Sequence, residues 1–530
     1  MTKEASIRRL IDLSAAGETA LIEDLLRNEP DLAQGGWGYF SPLHFAVREG
    51  RRDAVELLLA HGADAAEKPV LSWQDSLLQK ARDRGYADIE ALLGAHLERT
   101  LQVKPIGDTA AELIRAGKRG ELLAWLEAHP EAVRAGDERG NTPLHWAVMT
   151  RWIELIDLLL AKGADPLATR SDGCQPVHLA LEGDYFYRPG RDLPSEAVRD
   201  NRFLLGYLIG KGVPYDLFIA AAVGDAAKVK ELLAADPQLV SARDTSGRSA
   251  LYYAAKQGYA EVVRSLLDSG ADPNQAERDA AGGAALYAAV RGRHTDCVKL
   301  LLAHGADPNA EIDASGNSVY AAMQQGAQEL LELLYAHGGT VTMAGACALG
   351  RIDLVGELLA VNPAAANDGD YGPLAQAASC GYTSIVKLLL RHGAELNGPW
   401  YASNYMVYAC RYADKEMVEL LLRQGADPNV RNWIGISYLH LAAQAGDIEL
   451  AELLLRFGAD LHAVDEEYAT TPLGWAAKYG QTGMIEYLLR KGAAIEPADV
   501  PDWARPLAWA RRRGHHAAED LLAARTKGAV

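Results

Sequence analysis

Closely spaced cysteine, long apolar runs and excess positive charge are all missing from this 530-residue chain. Its five cysteines are Cys174, Cys297, Cys347, Cys380 and Cys410. The number is odd, no two are close in sequence, and there is no CxxC. That excludes a disulfide framework and a zinc knuckle, and predicts a reduced intracellular chain. No stretch approaches the roughly 18 apolar residues of a membrane span. The segment "MTKEASIRRLIDLSAAGE" carries charges where a signal peptide has its apolar region. A cytoplasmic protein without membrane attachment is the expectation. Lysine and arginine total 53 against 71 aspartates and glutamates, for a net charge of -18. The positive footprint of a nucleic-acid binder is therefore missing. There is no GxSxG, P-loop, dinucleotide fingerprint or HExxH. No catalytic residue, cofactor or metal site is predicted.

What is present is a period. Four segments carry it: "SPLHFAVREGRRDAVELLLAHGAD", "TPLHWAVMTRWIELIDLLLAKGAD", "SYLHLAAQAGDIELAELLLRFGAD" and "TPLGWAAKYGQTGMIEYLLRKGAA". Successive glycines Gly393, Gly425, Gly458 and Gly492 fall 32, 33 and 34 residues apart. Proline at the start of "PLHxAA" fits a first helical turn, where its missing N–H costs nothing. Small residues keep that helix thin. A second helix follows with Ile448, Leu450, Ala451 and Leu454 at helical spacing. Gly458 then suits a C-cap at positive φ. One such unit cannot bury its own apolar face, but a stack can.

This pattern resembles the ankyrin repeat, in register along most of the chain. The resemblance implies an all-α solenoid of about 16 helix-turn-helix units with short turn or hairpin loops. Regular units start near Gly38, Asp137, Asp244, Asp279, Asp313, Asp370, Trp400, Asn432, Asp465 and Asp499. A degenerate unit covers Glu67–Arg99, and an interrupted one starts near Thr169. Four units follow a second template that ends in Pro30, Pro130, Pro237 or Pro363. Similar units often open bacterial ankyrin arrays, and the alanine- and arginine-rich style also points to a bacterial chain. They divide the sequence into cassettes at 1–100, 101–214, 215–341 and 342–530. Leu97–Asp108 is the best linker candidate.

The repeat accounts for ten of 14 histidines. His44, His145, His178 and His440 hold the TPLH position. His61, His304, His337 and His392 precede the glycine, and His294 and His515 open second helices. The resemblance implies that they hydrogen-bond neighbouring loops. Most carboxylates recur at the turn aspartate, an N-cap or Asx-turn position.

Candidate contact residues lie where units differ. Three residues after the proline position, six of 11 units carry an aromatic: Phe45, Trp146, Tyr253, Tyr408, Trp475 and Trp509. In the family this position faces the concave side. Packing between helices and a contact surface are both open readings of it. Trp400, Tyr412, Trp433, Tyr479 and Trp503 enrich the C-terminal stretch, with Arg411, Arg431, Lys478, Arg505, Arg511 and Arg512 between them. Such aromatics and arginines favour binding hot spots, and end-capping is the alternative. Finally, Pro176 and Gly212 are 36 residues apart, where Pro143 and Gly163 are 20 apart. The insertion of 16 residues near 183–198 reads as a loop over 183–194 followed by a lengthened second helix from Ser195, in which Phe203, Leu204, Tyr207 and Leu208 form an apolar stripe at helical spacing. Either Tyr187, Arg188, Arg191 and Asp192 reach a ligand from a lip over the groove, or Tyr185, Phe186 and Tyr187 fold back over neighbouring units.

Two functions follow. The first is a non-catalytic scaffold that binds a protein or peptide in a concave groove, as a monomer. The second is an enzyme or small-molecule binder with its site at the 183–194 insertion or in the Trp400–Trp509 cluster.

Overall fold

The computed structural model describes residues 3–37, 40–67, 74–182, 193, 200–277, 280, 282–312, 316–368, 372–397 and 415–527. Among these, every regular element is a helix, and extended pairing is limited to isolated bridges. Fifteen helix pairs are described, and Lys415–Arg423 is the second helix of one more. The expected all-α repeat architecture is therefore observed. Two compact units are present, Met1–Thr340 and Val341–Val530.

Each first helix starts as its sequence dictates. Pro143 opens Pro143–Met149, and Thr142 and His145 form a reciprocal capping box before it. Ser437 and His440 do the same for Tyr438–Ala445. These helices are buried almost all round; every residue of Pro143–Met149 is interior. The second helices are amphipathic. Ile448–Arg456 buries Leu450, Ala451, Leu453 and Leu454, and Gly458 turns the chain at φ 91°. Each buried leucine contributes roughly 1.5–3 kcal/mol of transfer free energy, obtained only because a neighbouring unit covers it.

Asparagines tie one unit to the next. Asn429 donates from Nδ2 to the Gly458 carbonyl (2.9 Å) and accepts from the Asp460 N–H (2.7 Å). Asn397 makes the same two bonds to Gly425 and Asp427, and Asn367 to Gly393 and Glu395. In the first unit, Asn274 and Asn309 repeat the pattern. Each side chain thus satisfies one orphan carbonyl after a helix and one N–H of the following turn.

The second template has its own terminus. Pro30, Pro130, Pro237 and Pro363 each begin a five-residue 3₁₀ turn: Pro30–Gln34, Pro130–Arg134, Pro237–Ser241 and Pro363–Asn367. Proline suits such a first position and cannot extend the helix before it.

Two local expectations are corrected. Leu97–Asp108 is no free linker. Helix Ala87–Leu101 runs through its first half, and Pro105–Arg115 begins in its second. Between them Gln102 adopts φ 53°, its carbonyl accepts from Gly136, and Lys104 donates to the Gly136 carbonyl. A Cβ on Gly107 would sit 2.1 Å from that carbonyl oxygen, so only glycine permits this approach. Nor is the second helix of the interrupted unit lengthened. It spans Asn201–Gly210 and is capped by Asp200, whose carboxylate accepts from Arg202 N and Phe203 N. That cap satisfies the first-turn donors and sets the helix start.

Candidate interaction surface

The four histidines at the TPLH position, His44, His145, His178 and His440, face the protein interior. His145 Nδ1 accepts from the Thr142 N–H at 3.1 Å, and its Nε2 lies 3.2 Å from the Cys174 carbonyl of the next unit. His440 repeats this with Ser437 and the Thr470 carbonyl. Nδ1 must therefore be unprotonated and Nε2–H the donor. Burial pushes both imidazoles down to about 3, so they are neutral bridges. The unit after His178 has no hairpin loop. His178 Nε2 reaches past it to Asp244, 3.2 Å away. Burial works against ionisation of Asp244, but His178, the Arg248 N–H and the Ser246 hydroxyl hold its carboxyl below the usual carboxylate range. His61, His304, His337 and His392 each place Nδ1 against the carbonyl four residues earlier. His294 and His515 reach back to the Lys256 and Lys478 carbonyls.

The first-helix aromatics are interior as well. Tyr253, Trp475 and Trp509 are fully buried and Trp146 is 5% exposed. Their polar edges point at their own hairpins. Trp146 Nε1 donates to Asp137 (2.9 Å), Tyr253 OH to Asp244 (2.8 Å) and Trp475 Nε1 to Asp465 (2.9 Å). A covered ring offers no area to a partner, so the structure places these four in packing. Both tryptophan edges bind the turn aspartate, whose carboxylate also accepts backbone N–H groups of the turn. Periodicity revealed the aromatic position, but not which face of a helix buried on all sides it occupied.

Three candidates are half-buried: Trp433, Tyr479 and Trp503. A chain of edge-to-face rings runs from His440 through Trp475, Tyr468 and Trp509 to Trp503, with centroids 5.3–5.9 Å apart. Basic groups sit on it. The buried Lys478 ammonium lies 4.1 Å from the Tyr468 ring and 4.5 Å from Tyr479, and donates to Tyr479 OH at 3.1 Å. Arg512 lies 4.9 Å from Trp509 and donates from Nη2 to the Trp503 carbonyl (2.8 Å). Cation–π contacts of this kind hold a guanidinium in place while leaving its hydrogen-bonding edge available. Beside this cluster is an open cavity of about 500 Å³, lined by Arg505, Leu507, Arg511, Arg512 and Thr526. A second, of about 690 Å³, lies among second helices and is lined by paired charges such as Lys415, Glu449, Glu419 and Arg456.

Tyr187, Arg188, Arg191, Trp400, Tyr408 and Tyr412 lie outside the described residues. The base of the insertion is described. Arg151, at φ 58° and 5% exposed, donates from Nη2 to Asn201 Oδ1 (2.6 Å) and the Ala180 carbonyl (3.4 Å). Asn201 Nδ2 donates to the Leu181 carbonyl (3.4 Å). The end of one helix and the start of the next are thereby held together, and the extra residues leave and return at one place. Leu193, within the insertion, is buried. The predicted apolar stripe splits: Leu204 and Leu208 face inward, while Phe203 is 51% exposed and stacks on Tyr207 with centroids 6.2 Å apart.

Among the described residues no group of three or more His, Cys, Asp or Glu could hold a metal ion, and no helix is long and apolar enough to cross a membrane. Comparison with known proteins gives one consistent result. The profile for ankyrin repeats in three copies matches residues 197–277, 274–344, 343–432 and 439–529. The single ankyrin-repeat profile matches 39–68 and 139–171. Palmitoyltransferase AKR1 of Lachancea kluyveri is 30% identical over 146 residues, covering 26% of this chain and 18% of that protein. Ankyrin repeat and KH domain-containing protein mask-1 of Caenorhabditis elegans is 29% identical over 245 residues, 44% of this chain and 9% of that protein. Target of rapamycin complex 2 subunit AVO2 of Saccharomyces cerevisiae is 27% identical over 188 residues, 34% of this chain and 35% of that protein. The chain thus spans between 9% and 35% of the length of these relatives.

Proposed function

The chain belongs to the ankyrin-repeat family, and on that premise we propose that it is a non-catalytic scaffold that binds a partner protein or peptide along its concave groove. The observation that carries this reading is the asparagine staircase, in which side chains of one unit fix the turns of the next. A surface pre-organised in this way loses little conformational freedom on binding. The contact residues would be Tyr479, Trp503 and Trp433, whose rings remain half-exposed, with Tyr187, Arg188 and Arg191 of the insertion and Trp400, Tyr408 and Tyr412. Aromatic and arginine anchors of this type dominate interface energetics. The matches to the named relatives cover 9–35% of those proteins, so their own activities are not carried over to this chain. Fold alone does not select a partner.

The test is affinity capture with the intact chain beside two variants, one lacking Gly183–Pro194 and one carrying Tyr479→Ala with Trp503→Ala. Loss of a specific partner from either variant is expected. If both variants hold every partner captured by the intact chain, the contact residues are wrongly assigned. Trp475 and Trp509 are unsuitable for this test, because truncating a buried tryptophan removes core.

A further inference from the structure

The cavity beside Trp503 differs from the rest of this acidic chain. Three arginines line it, Arg505, Arg511 and Arg512, against Asp502 and Glu496 at the same cavity. Two of them are paired within the chain, each pair with one exposed member. Arg505 meets Asp502 at 3.0 Å, and Asp502 is 90% exposed. Arg511 meets Glu519 at 2.7 Å and is itself 59% exposed. Ion pairs this open to water hold weakly and exchange readily. Arg505 also keeps a buried Nε without a hydrogen-bond partner among the described residues. Arg512 is held against Trp503 and Trp509. Between the arginines, Ile495, Leu507 and Ala508 supply apolar lining.

Resting on the scaffold reading above, we propose that this cavity is a docking site for an acidic peptide segment, in which an apolar side chain enters against Leu507 and Ile495 and flanking carboxylates pair with Arg505 and Arg511. Charge complementarity selects this occupant. Carboxylates match the arginine fork geometrically. A nucleic-acid backbone would have to carry its unbroken charge across a chain of net charge -18, whereas a peptide brings carboxylates only where the arginines stand.

The experiment is selection of displayed random peptides on the full-length chain, with parallel selection on Arg505→Gln/Arg511→Gln and on Trp503→Ala. Both glutamine substitutions are at exposed or half-exposed positions, and circular dichroism of each variant confirms that the helices remain. The expected result is enrichment of sequences with Asp or Glu flanking an aliphatic residue. Their binding should fall on the order of tenfold in the arginine variant and with rising salt. Replacing the acids of an enriched peptide by Gln should reduce binding equally. Enriched peptides without excess acid that still depend on Trp503 would overturn this proposal and leave the scaffold reading standing. Acidic peptides that bind the arginine variant unchanged would also overturn it. Preference for phosphoserine or single-stranded DNA over the acidic peptide would replace it with an anion site of another class. No enrichment on any form would remove both readings.

Discussion

Trp475 donates its indole N–H to Asp465 Oδ2 at 2.9 Å, and both side chains are buried. The bond joins the inner helix of a unit to that unit's own hairpin. Trp146 with Asp137 and Tyr253 with Asp244 make the same link. Trp509 is just as buried, but its Nε1 has no hydrogen-bond partner among the described residues. Trp475→Phe should therefore cost about 1–3 kcal/mol, the penalty for leaving a buried acceptor short of a donor. Trp509→Phe loses ring area but no such bond and should cost less. Urea denaturation of the two variants checks the order. Equal losses would show that ring area, and not the indole N–H, sets the cost.

This pair also shows where sequence stops being informative. The period, the two-helix unit, the proline-ended second template and the place of the insertion were all legible, because each is a spacing of prolines, glycines and leucines. The side on which Trp146 and Trp475 lie was not, because their helices are buried all round and have no polar face to orient them. The stripe of Phe203, Leu204, Tyr207 and Leu208 was legible as helical spacing, but not that Leu204 and Leu208 take the inward face while Phe203 is exposed. Arg151 gave no local signal at all, since its partners Ala180 and Asn201 are distant in sequence.

The bridging histidines make the fold acid-sensitive. Burial sets His145 and His440 at about 3 when folded, against an ordinary value of 6.5. A folded value below the unfolded one means their contribution is complete above pH 6.5 and is lost as pH falls toward 3. Each should add about one proton to the unfolding equilibrium in that window, about 1.4 kcal/mol per pH unit. Asp465 acts in the opposite sense. Burial raises it from 3.8 to about 6, so it favours the folded state below 3.8 and loses that contribution as pH rises through 6. His440→Asn should flatten the loss of stability as pH falls from 6.5 toward 3, with Asp465 a background common to both proteins. Denaturation midpoints across this range measure it, and an unchanged slope would refute the linkage.

Arg151 should govern the base of the insertion. Its side chain holds Ala180 and Asn201 together, and its backbone sits at φ 58°, a region that favours glycine. Arg151→Ala keeps the backbone strain and removes the clamp. It should cost about 1–3 kcal/mol from the unsatisfied buried groups. Arg151→Gly relieves the strain while losing the same bonds, so it should be the milder variant by up to about 1 kcal/mol. Hydrogen exchange of the Leu204 and Leu205 amides reports the effect locally. Protection equal to that of the intact chain in both variants would show that the clamp is dispensable.

Asn429 offers a test of the staircase. Its two bonds to Gly458 and Asp460 are at the surface, so water can replace part of each. Asn429→Ala should cost about 1–2 kcal/mol, the net value of two ordinary hydrogen bonds. Asn429→Asp keeps the acceptor for the Asp460 N–H and loses the donor to Gly458, and should fall between. Thermal unfolding of the three proteins gives the ranking. Identical midpoints would mean that apolar stacking alone fixes the register of these units.

Asp108 is a site where protonation or amidation should stabilise. Its carboxylate accepts from the Glu138 N–H at 3.0 Å. Burial first, and the charges of Glu138, Asp137 and Glu112 second, raise it from 3.8 to about 6. A folded value above the unfolded one means the group favours folding below pH 3.8 and that this contribution is lost as pH rises through 6. At pH 7 it is therefore an ionised, partly desolvated carboxylate among like charges. Asp108→Asn keeps a carbonyl oxygen to accept from Glu138 and removes the charge. The variant should unfold at a higher temperature than the intact chain at pH 7.5, with the gap closing as pH approaches 4. A gap that stays constant with pH would show that the carboxylate's charge is not the source of the penalty.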